Sequence, residues 1–353
     1  MNTLHVIDTD IWGGIEQFVY DICKNQNNNN NKSFVLIEQE DGYIQKRYLE
    51  IAEVLVLKMK FFGGIFCVNK LVEHVKDNEI EVIYCHSGRL LSLCIAVKKI
   101  LGIKVFAYKH NTLPSKKDPY HYLQRKWIDG TICVSRIVFD TQTEGLSIDE
   151  KKKFHVIYNG IDTGKYNKYE YGRFCDARGF SVGFAGRISE AKGVEYLLDA
   201  FRLLVADDSN ARLHLAGPCD KKYYQKLNGI IAEMGLQDKV FFWGIVDDME
   251  KFYKSLNVFV LPSCLKESFG LVLCEALYCG LPVITTNTGA QKEIVKDPDY
   301  GLIIDNIDAE SILKCIKYYR NDKMKNRLKR SKYLEEKFNI DKSINDAMDL
   351  CIR

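Results

Sequence analysis

Absent from the 353 residues is any apolar run of membrane-spanning length. The first strand pattern, Leu4-His5-Val6-Ile7, begins so near Met1 that a secretory leader has no room, so a cytoplasmic chain is expected. Its 12 cysteines include no C-x-x-C pair, and Cys85, Cys94, Cys133 and Cys274 sit inside apolar runs, which argues for reduced core thiols over structural zinc. Neither sign of charge dominates: a net +3 with 27% charged residues gives no global basis for nucleic-acid binding, and no RNA-binding motif is present. The dinucleotide fingerprint G-x-G-x-x-G is missing from the first strand-to-helix turn, and so is G-x-x-x-x-G-K-[ST] from the chain. Dehydrogenase and P-loop kinase readings lose their support.

What is present is alternation. Short apolar runs recur near residues 4–7, 33–37, 54–57, 82–84, 105–108, 131–134 and 156–158, then again near 182–184, 213–215, 240–242, 258–261, 283–285 and 302–304. Helix-periodic segments separate many of them, which predicts two parallel, doubly wound sheets. A first domain over 1–162 and a second over 163–335 are expected, with a final helix at 336–353 that could cross back to the first domain, although the sequence alone does not show it. The tract from Asn25 to Asn31 reads as a loose polar loop, and the basic helical stretch through Lys323, Lys325, Arg327, Lys329 and Arg330 as mostly solvated.

Glu267-Ser-Phe-Gly-Leu-Val-Leu-Cys-Glu275 follows the strand run Val258–Leu261 and opens a helix. Ser268 is placed to cap it, leaving the N–H groups of Phe269, Gly270 and Leu271 for an anion, phosphate above all. Glu267 lies just outside that start. Glu275, two turns in on an apolar helix, needs a hydroxyl partner such as a ribose. An isolated E-x7-E is usually a pair of solvated glutamates; the apolar flanks argue otherwise here.

Gly186-Arg187 and Lys192-Gly193 follow the first strand of the second half. Arginine offers paired N–H donors and lysine a point charge, so together they suit a diphosphate, although either alone reads equally as a solvated loop cation. Gly13-Gly14, after the first strand, lets backbone approach a ligand, with plain tight-turn chemistry as the alternative. Asp8-Thr9-Asp10 resembles a D-x-D metal motif but precedes this turn and reads as loop chemistry.

These residues together resemble the GT-B glycosyltransferases of family 4 (glycosyl transferases group 1). The carriers are Gly13-Gly14-x-Glu16, Tyr158-Asn-Gly-Ile-Asp162, Gly186-Arg187 with Lys192-Gly193, and Glu267-x7-Glu275, spanning most of the chain. The resemblance implies an α/β GT-B architecture of two Rossmann-like domains facing across a cleft, with the acceptor on the N-terminal side. It implies that Arg187 and Lys192 hold a donor diphosphate, Glu275 the ribose, Glu267 a sugar hydroxyl, Gly14 a phosphate, and Gly244 and Ile245 the base pocket. His110 matches the family's active-site histidine, and His86 supports it. One departure is Gly289-Ala290, where many relatives carry two glycines.

The implied activity is retaining transfer of a hexose-type sugar from a UDP- or GDP-linked donor to a glycan or lipid-linked acceptor, in lipopolysaccharide or other surface polysaccharide synthesis. No cofactor and no divalent metal are expected. A nucleotide-sugar 2-epimerase and a non-catalytic nucleotide-sugar-binding protein are the alternatives. Lysines and arginines between Lys98 and Lys126, interleaved with Tyr120, Tyr122 and Trp127, suit weak association with an anionic membrane or a solvated helix face.

Overall fold

A computed structural model describes residues 1–8, 11–28, 31–38, 42–58, 64–169, 179–320 and 326–352. The chain divides into two units, Met1–Asp162 with Asn339–Arg353, and Thr163–Phe338.

The first unit is built on strands β1 (Asn2–Val6), β2 (Ser33–Ile37), β3 (Glu53–Val56), β4 (Ile80–Cys85), β5 (Lys104–Lys109), β6 (Gly130–Cys133) and β7 (Phe154–Val156). All pairs are parallel, in the order β3-β2-β1-β4-β5-β6-β7. Every residue of β2 and of β6 is buried, as befits strands covered on both faces. The order reverses between β1 and β4, the position at which a doubly wound parallel sheet places a ligand crevice. The apolar run expected at 156–158 forms its strand two residues earlier. Pairing with β6 runs from Thr131↔Phe154 to Cys133↔Val156, and the Tyr158 carbonyl accepts from Ser343 Oγ instead.

The second unit repeats the plan with β8 (Ser181–Ala185), β9 (Arg212–Ala216), β10 (Val240–Gly244), β11 (Val258–Leu261), β12 (Val283–Thr286) and β13 (Gly301–Ile304), in the order β10-β9-β8-β11-β12-β13. Its reversal lies between β8 and β11.

The last helix, Ile340–Ile352, belongs to the first unit and packs on the helix Gly14–Asn28. Its seat is the segment after β7. A Cβ on Gly160 would stand 2.4 Å from the Asn339 carbonyl oxygen, so only glycine allows this approach, and Ile340 N donates to Ile161 O at 3.0 Å. Tyr84 Oη donates to the Ala347 carbonyl at 3.2 Å from beneath. The Tyr158-to-Asp162 motif is therefore in part a docking surface for the returning chain.

Two expectations are corrected. The polar tract does not loosen at Asn25: the first helix runs to Asn28, and Gln26 is buried because the Thr3 and Ser33 hydroxyls donate to its Oε1. Asn29 and Asn30 lie outside the described residues. Nor is Arg330 solvated. It is fully buried, with Nε donating to the Asp299 carbonyl and Nη1 to the Gly280 carbonyl, which anchors the helix Arg327–Phe338. Lys323 and Lys325 are outside the described residues.

Candidate active site

Three loops at the C-terminal ends of β8, β11 and β12 are stitched together by backbone. Cys264 N donates to Ala191 O at 2.9 Å, and Ala290 N to Glu267 O at 2.9 Å. Glycines make these approaches possible. Gly193 has a φ of +71° and would carry a Cβ 2.0 Å from the Pro262 carbonyl oxygen; on Gly289 a Cβ would stand 2.3 Å from that of Glu267. The Ala290 that departs from the family pattern is completely buried, so this position is a packing site.

The stitching joins two of the expected residues across the β8/β11 reversal. Lys192 Nζ lies 2.6 Å from Glu267 Oε1, with both side chains partly shielded from water. Arg187, from the same loop as Lys192, is exposed and its guanidinium has no partner among the described residues. A paired cation and an unengaged one at a switch point of a parallel sheet are a place where an anionic ligand can be received.

Ser268 does not cap the helix. The helix spans Leu271–Tyr278, its N-cap is Gly270 at φ +116° and ψ +57°, and no side chain bonds to its first turn. A glycine accepts that backbone without strain, and the cap moves two residues past the serine. The N–H groups of Gly270 and Leu271 find no acceptor among the described residues, leaving the positive end of the helix bare. Phe269 is buried, its ring edge-on to Phe338 at 5.6 Å, so its contribution is packing.

Glu275 has the hydroxyl partner its position demands, and the chain supplies it: Tyr253 Oη donates to Glu275 Oε2 at 2.7 Å. Burial and the adjacent carboxylate both push the Tyr253 phenol well above its usual range, so it stays a donor. Nothing in the sequence spacing pointed to Tyr253. Gly244 ends β10, the outer strand, two places from β8, and Ile245 follows it. Their tie to the other loops is Gly217 N donating to Gly244 O at 2.7 Å.

In the first unit Gly13 is not an open amide. Its N–H donates to Glu16 Oε2 at 2.8 Å and its carbonyl accepts from Gln17, so the turn is closed by its own helix. Gly14 opens that helix. Asp8 accepts from Ser87 Oγ at 2.6 Å, tying the loops after β1 and β4 together; Thr9 and Asp10 lie outside the described residues.

Beside this turn stands a line of imidazoles. His110 Nε2 lies 2.8 Å from His86 Nδ1, and His86 Nε2 lies 3.1 Å from His5 Nδ1. The rings stack with one another and with Tyr84 and Tyr108, at centroid separations of 4.7 to 5.5 Å. Side chains alternate along strands, so Tyr84 and His86, and Tyr108 and His110, share one sheet face with His5. Burial pushes His5 down to about 4 and His110 down to about 3, and lowers His86 well below the usual histidine range. His5 escaped the sequence reading, since it stands mid-strand in Leu4-His5-Val6 with no local motif to mark it.

Two family models tile the chain: glycosyltransferase family 4 over residues 12–165 and glycosyl transferases group 1 over residues 177–337. The chain belongs to this family, the GT-B glycosyltransferases of group 1 and family 4. Among its relatives is a 41.2 kDa protein in the cps region of Klebsiella pneumoniae, 24% identical over 90% of this chain and 89% of that one. The phosphatidyl-myo-inositol mannosyltransferase of Mycobacterium leprae is 26% identical over 71% of this chain and 67% of its own length. By fold the chain is similar to Anabaena HepE, solved in complex with UDP and glucose, at a TM-score of 0.83 and 20% identity over 98% of each chain. Among the described residues no helix is long and apolar enough to cross a membrane.

Proposed function

We propose that this glycosyltransferase moves a hexose-type sugar, with retention at the anomeric carbon, from a UDP- or GDP-linked donor to a glycan or lipid-linked acceptor in bacterial surface polysaccharide synthesis. The observation that carries the reading is the Lys192–Glu267 pair at the β8/β11 reversal, flanked by the unengaged Arg187 and the bare amides of Gly270 and Leu271. The cps-region relative supports the polysaccharide role, and the UDP complex of HepE supports a nucleotide-linked donor.

In this reading Arg187 and Lys192 bind the donor diphosphate. Glu267, held by Lys192, accepts from a hydroxyl of the transferred sugar. Glu275, oriented by Tyr253, accepts from the ribose. As the bond from the anomeric carbon to phosphate oxygen breaks, charge grows on the leaving diphosphate. In this reading the two cations and the helix end oppose that charge, the kind of electrostatic stabilisation that usually supplies the largest rate term. The acceptor hydroxyl attacks the same face of the sugar and passes its proton to the leaving phosphate. These cations take the place a divalent metal would fill, and the reaction proceeds without one.

The test is incubation of the purified chain with a panel of UDP- and GDP-sugars, following slow release of the nucleoside diphosphate in the absence of acceptor. One donor is expected to be hydrolysed and to bind in calorimetry. Neither release nor binding with any donor would remove the proposal.

A further inference from the structure

Two arginines beyond the strand ends of the first sheet are in different states. Arg89, from the turn after β4, is spent on carboxylates: its Nη2 pairs with Glu38, and its Nε lies 3.4 Å from Asp8 Oδ2. Arg47, on the helix Gly42–Leu49 that follows β2, pairs with no carboxylate among the described residues. Its guanidinium carbon lies 4.2 Å from the centre of the Trp12 ring, with the rings of Tyr20 and Tyr43 at 5.6 and 5.7 Å. Its Nη1 donates to Tyr43 Oη at 2.9 Å, one helical turn back. Trp12 is in turn met edge-on by Tyr20 at 5.9 Å and Tyr43 at 6.2 Å, and its indole N–H donates to Gln17 Oε1 at 3.3 Å.

Stacking occupies the face of a guanidinium and leaves the N–H groups in its plane. Arg47 uses one of these on Tyr43, and the rest of the fork has no acceptor among the described residues. The aromatic surround and the hydrogen bond fix the side chain in advance, so its ordering is not charged to ligand binding. An open, held fork of this kind matches an oxyanion through paired N–H bonds. A side chain that merely covered Trp12 would need its stem and not its charge. The location also suits a ligand: Trp12 directly precedes the Gly13-Gly14 turn after β1, the strand at the β1/β4 reversal, and Tyr43 is exposed.

We propose that Arg47 is a specificity-determining residue of the first unit: it receives the carboxylate or phosphate of an acidic acceptor sugar, while Trp12 and Tyr43 hold it in place. That this sugar is the acceptor rests on the function proposed above; the oxyanion site itself does not. A neutral sugar lacks the group that the fork matches, so the site separates acidic acceptors from neutral ones.

Trp12, Trp127 and Trp243 are the chain's 3 tryptophans, so their indole N–H signals in a 1H–15N spectrum report on separate places, with Trp12 assigned by its loss in Trp12→Phe. The full chain is titrated at constant ionic strength with methyl glucuronoside, glucose 6-phosphate and methyl glucoside. The Trp12 signal is expected to shift along a saturating curve with an acidic probe and to stay still with the neutral one. Whichever acidic probe saturates at the lower concentration tells carboxylate from phosphate. Arg47→Met should abolish the shift, and Arg47→Lys, which keeps the charge and loses the fork, should raise the dissociation constant at least about tenfold. Trp127, whose ring lies 3.3 Å from Lys99 Nζ, is the control for charge alone. The proposal falls if neither acidic probe moves Trp12, if methyl glucoside moves it equally, if Trp127 follows the same curve, or if Arg47→Met still titrates. Should Arg47→Met not fold, Arg47→Lys decides, and binding as tight as the parent's overturns the proposal. The probes carry no nucleotide, so failure here and failure of the proposed activity are distinguishable.

Discussion

Lys192 and Glu267, 75 residues apart in sequence, meet at 2.6 Å where the sheet order of the second unit reverses. The pair neutralises itself, so the net charge offered to a diphosphate depends on Arg187. Replacing Lys192 by alanine both removes a cation and releases the Glu267 carboxylate. Lys192→Ala and Arg187→Ala are each expected to lower donor turnover roughly a hundredfold to a thousandfold, as for loss of one preorganised donor to a developing oxyanion. Arg187→Ala should leave thermal stability unchanged, since the side chain is exposed and touches no partner among the described residues. Nucleoside diphosphate release and a melting curve on each variant check both statements.

Tyr253 and Glu275 form the second pair within the same unit, at 2.7 Å. Tyr253→Phe strips the carboxylate of a hydrogen bond in a shielded position, and about 1–3 kcal/mol of stability should be lost. If Glu275 receives a ribose, added nucleotide will raise the melting temperature of this variant by more than it raises that of the parent. Equal increments would separate Glu275 from the nucleotide.

Gly193 sits at φ +71° against the Pro262 carbonyl, with 2.0 Å available to a Cβ. In Gly193→Ala the left-handed backbone alone costs on the order of 1–2 kcal/mol, and the clash forces the β8 loop away from the β11 loop. Both the melting temperature and donor turnover should fall, because the same movement separates Lys192 from Glu267. Loss of stability with full turnover would show that the two loops need not touch.

The imidazole line gives stability a definite pH dependence. His5 at about 4 and His110 at about 3 titrate below the histidines of the unfolded chain, near 6.5. Between those limits the unfolded chain binds more protons, so stability rises with pH from about 4 to 6.5 and is flat above. Each such histidine contributes a slope of about 1.4 kcal/mol per pH unit. Melting temperatures from pH 4.5 to 8 should trace that shape, and His5→Asn should shallow the acid limb.

The basic stretch of the first unit is partly spent on its own structure. Lys98 pairs with Asp129, Arg125 with Glu150, Lys104 with the Cys351 carbonyl, and Lys99 lies 3.3 Å over the Trp127 ring. Tyr120, Tyr122 and Leu123 nonetheless project from the helix Pro119–Trp127 beside Lys116, Lys117 and Lys126. We expect weak sedimentation with anionic vesicles and none with neutral ones, lost in Lys116→Glu/Lys117→Glu/Lys126→Glu. Absence from both pellets would dispose of membrane association.

The fold was legible because buried parallel strands write themselves as short apolar runs, and such a run needs no distant partner to be recognised. The one misplaced strand, Phe154–Val156, shows the limit: the apolar run continues to Tyr158, and only the β6 register and the Ser343 hydroxyl decide where pairing ends. Local motifs singled out Arg187, Lys192, Glu267 and Glu275 as candidates, and the structure adds which of them meet a partner, Lys192 with Glu267 and Glu275 with Tyr253. The cap at Gly270, the closure of Gly13 by Glu16 and the burial of Gln26 each turned on a competing partner that spacing does not reveal.

By itself the sequence determined the two alternating halves, the family and the candidate cations and carboxylates, because periodicity and local motifs act over a few residues. The tertiary structure alone decided which of these groups meet. It paired Lys192 with Glu267, gave Glu275 to Tyr253, seated the last helix against Gly160, and lined up His5, His86 and His110 from β1, β4 and β5. Such contacts depend on strand order and on backbone approaches of a few ångströms, and neither is encoded in the spacing of residues along one segment.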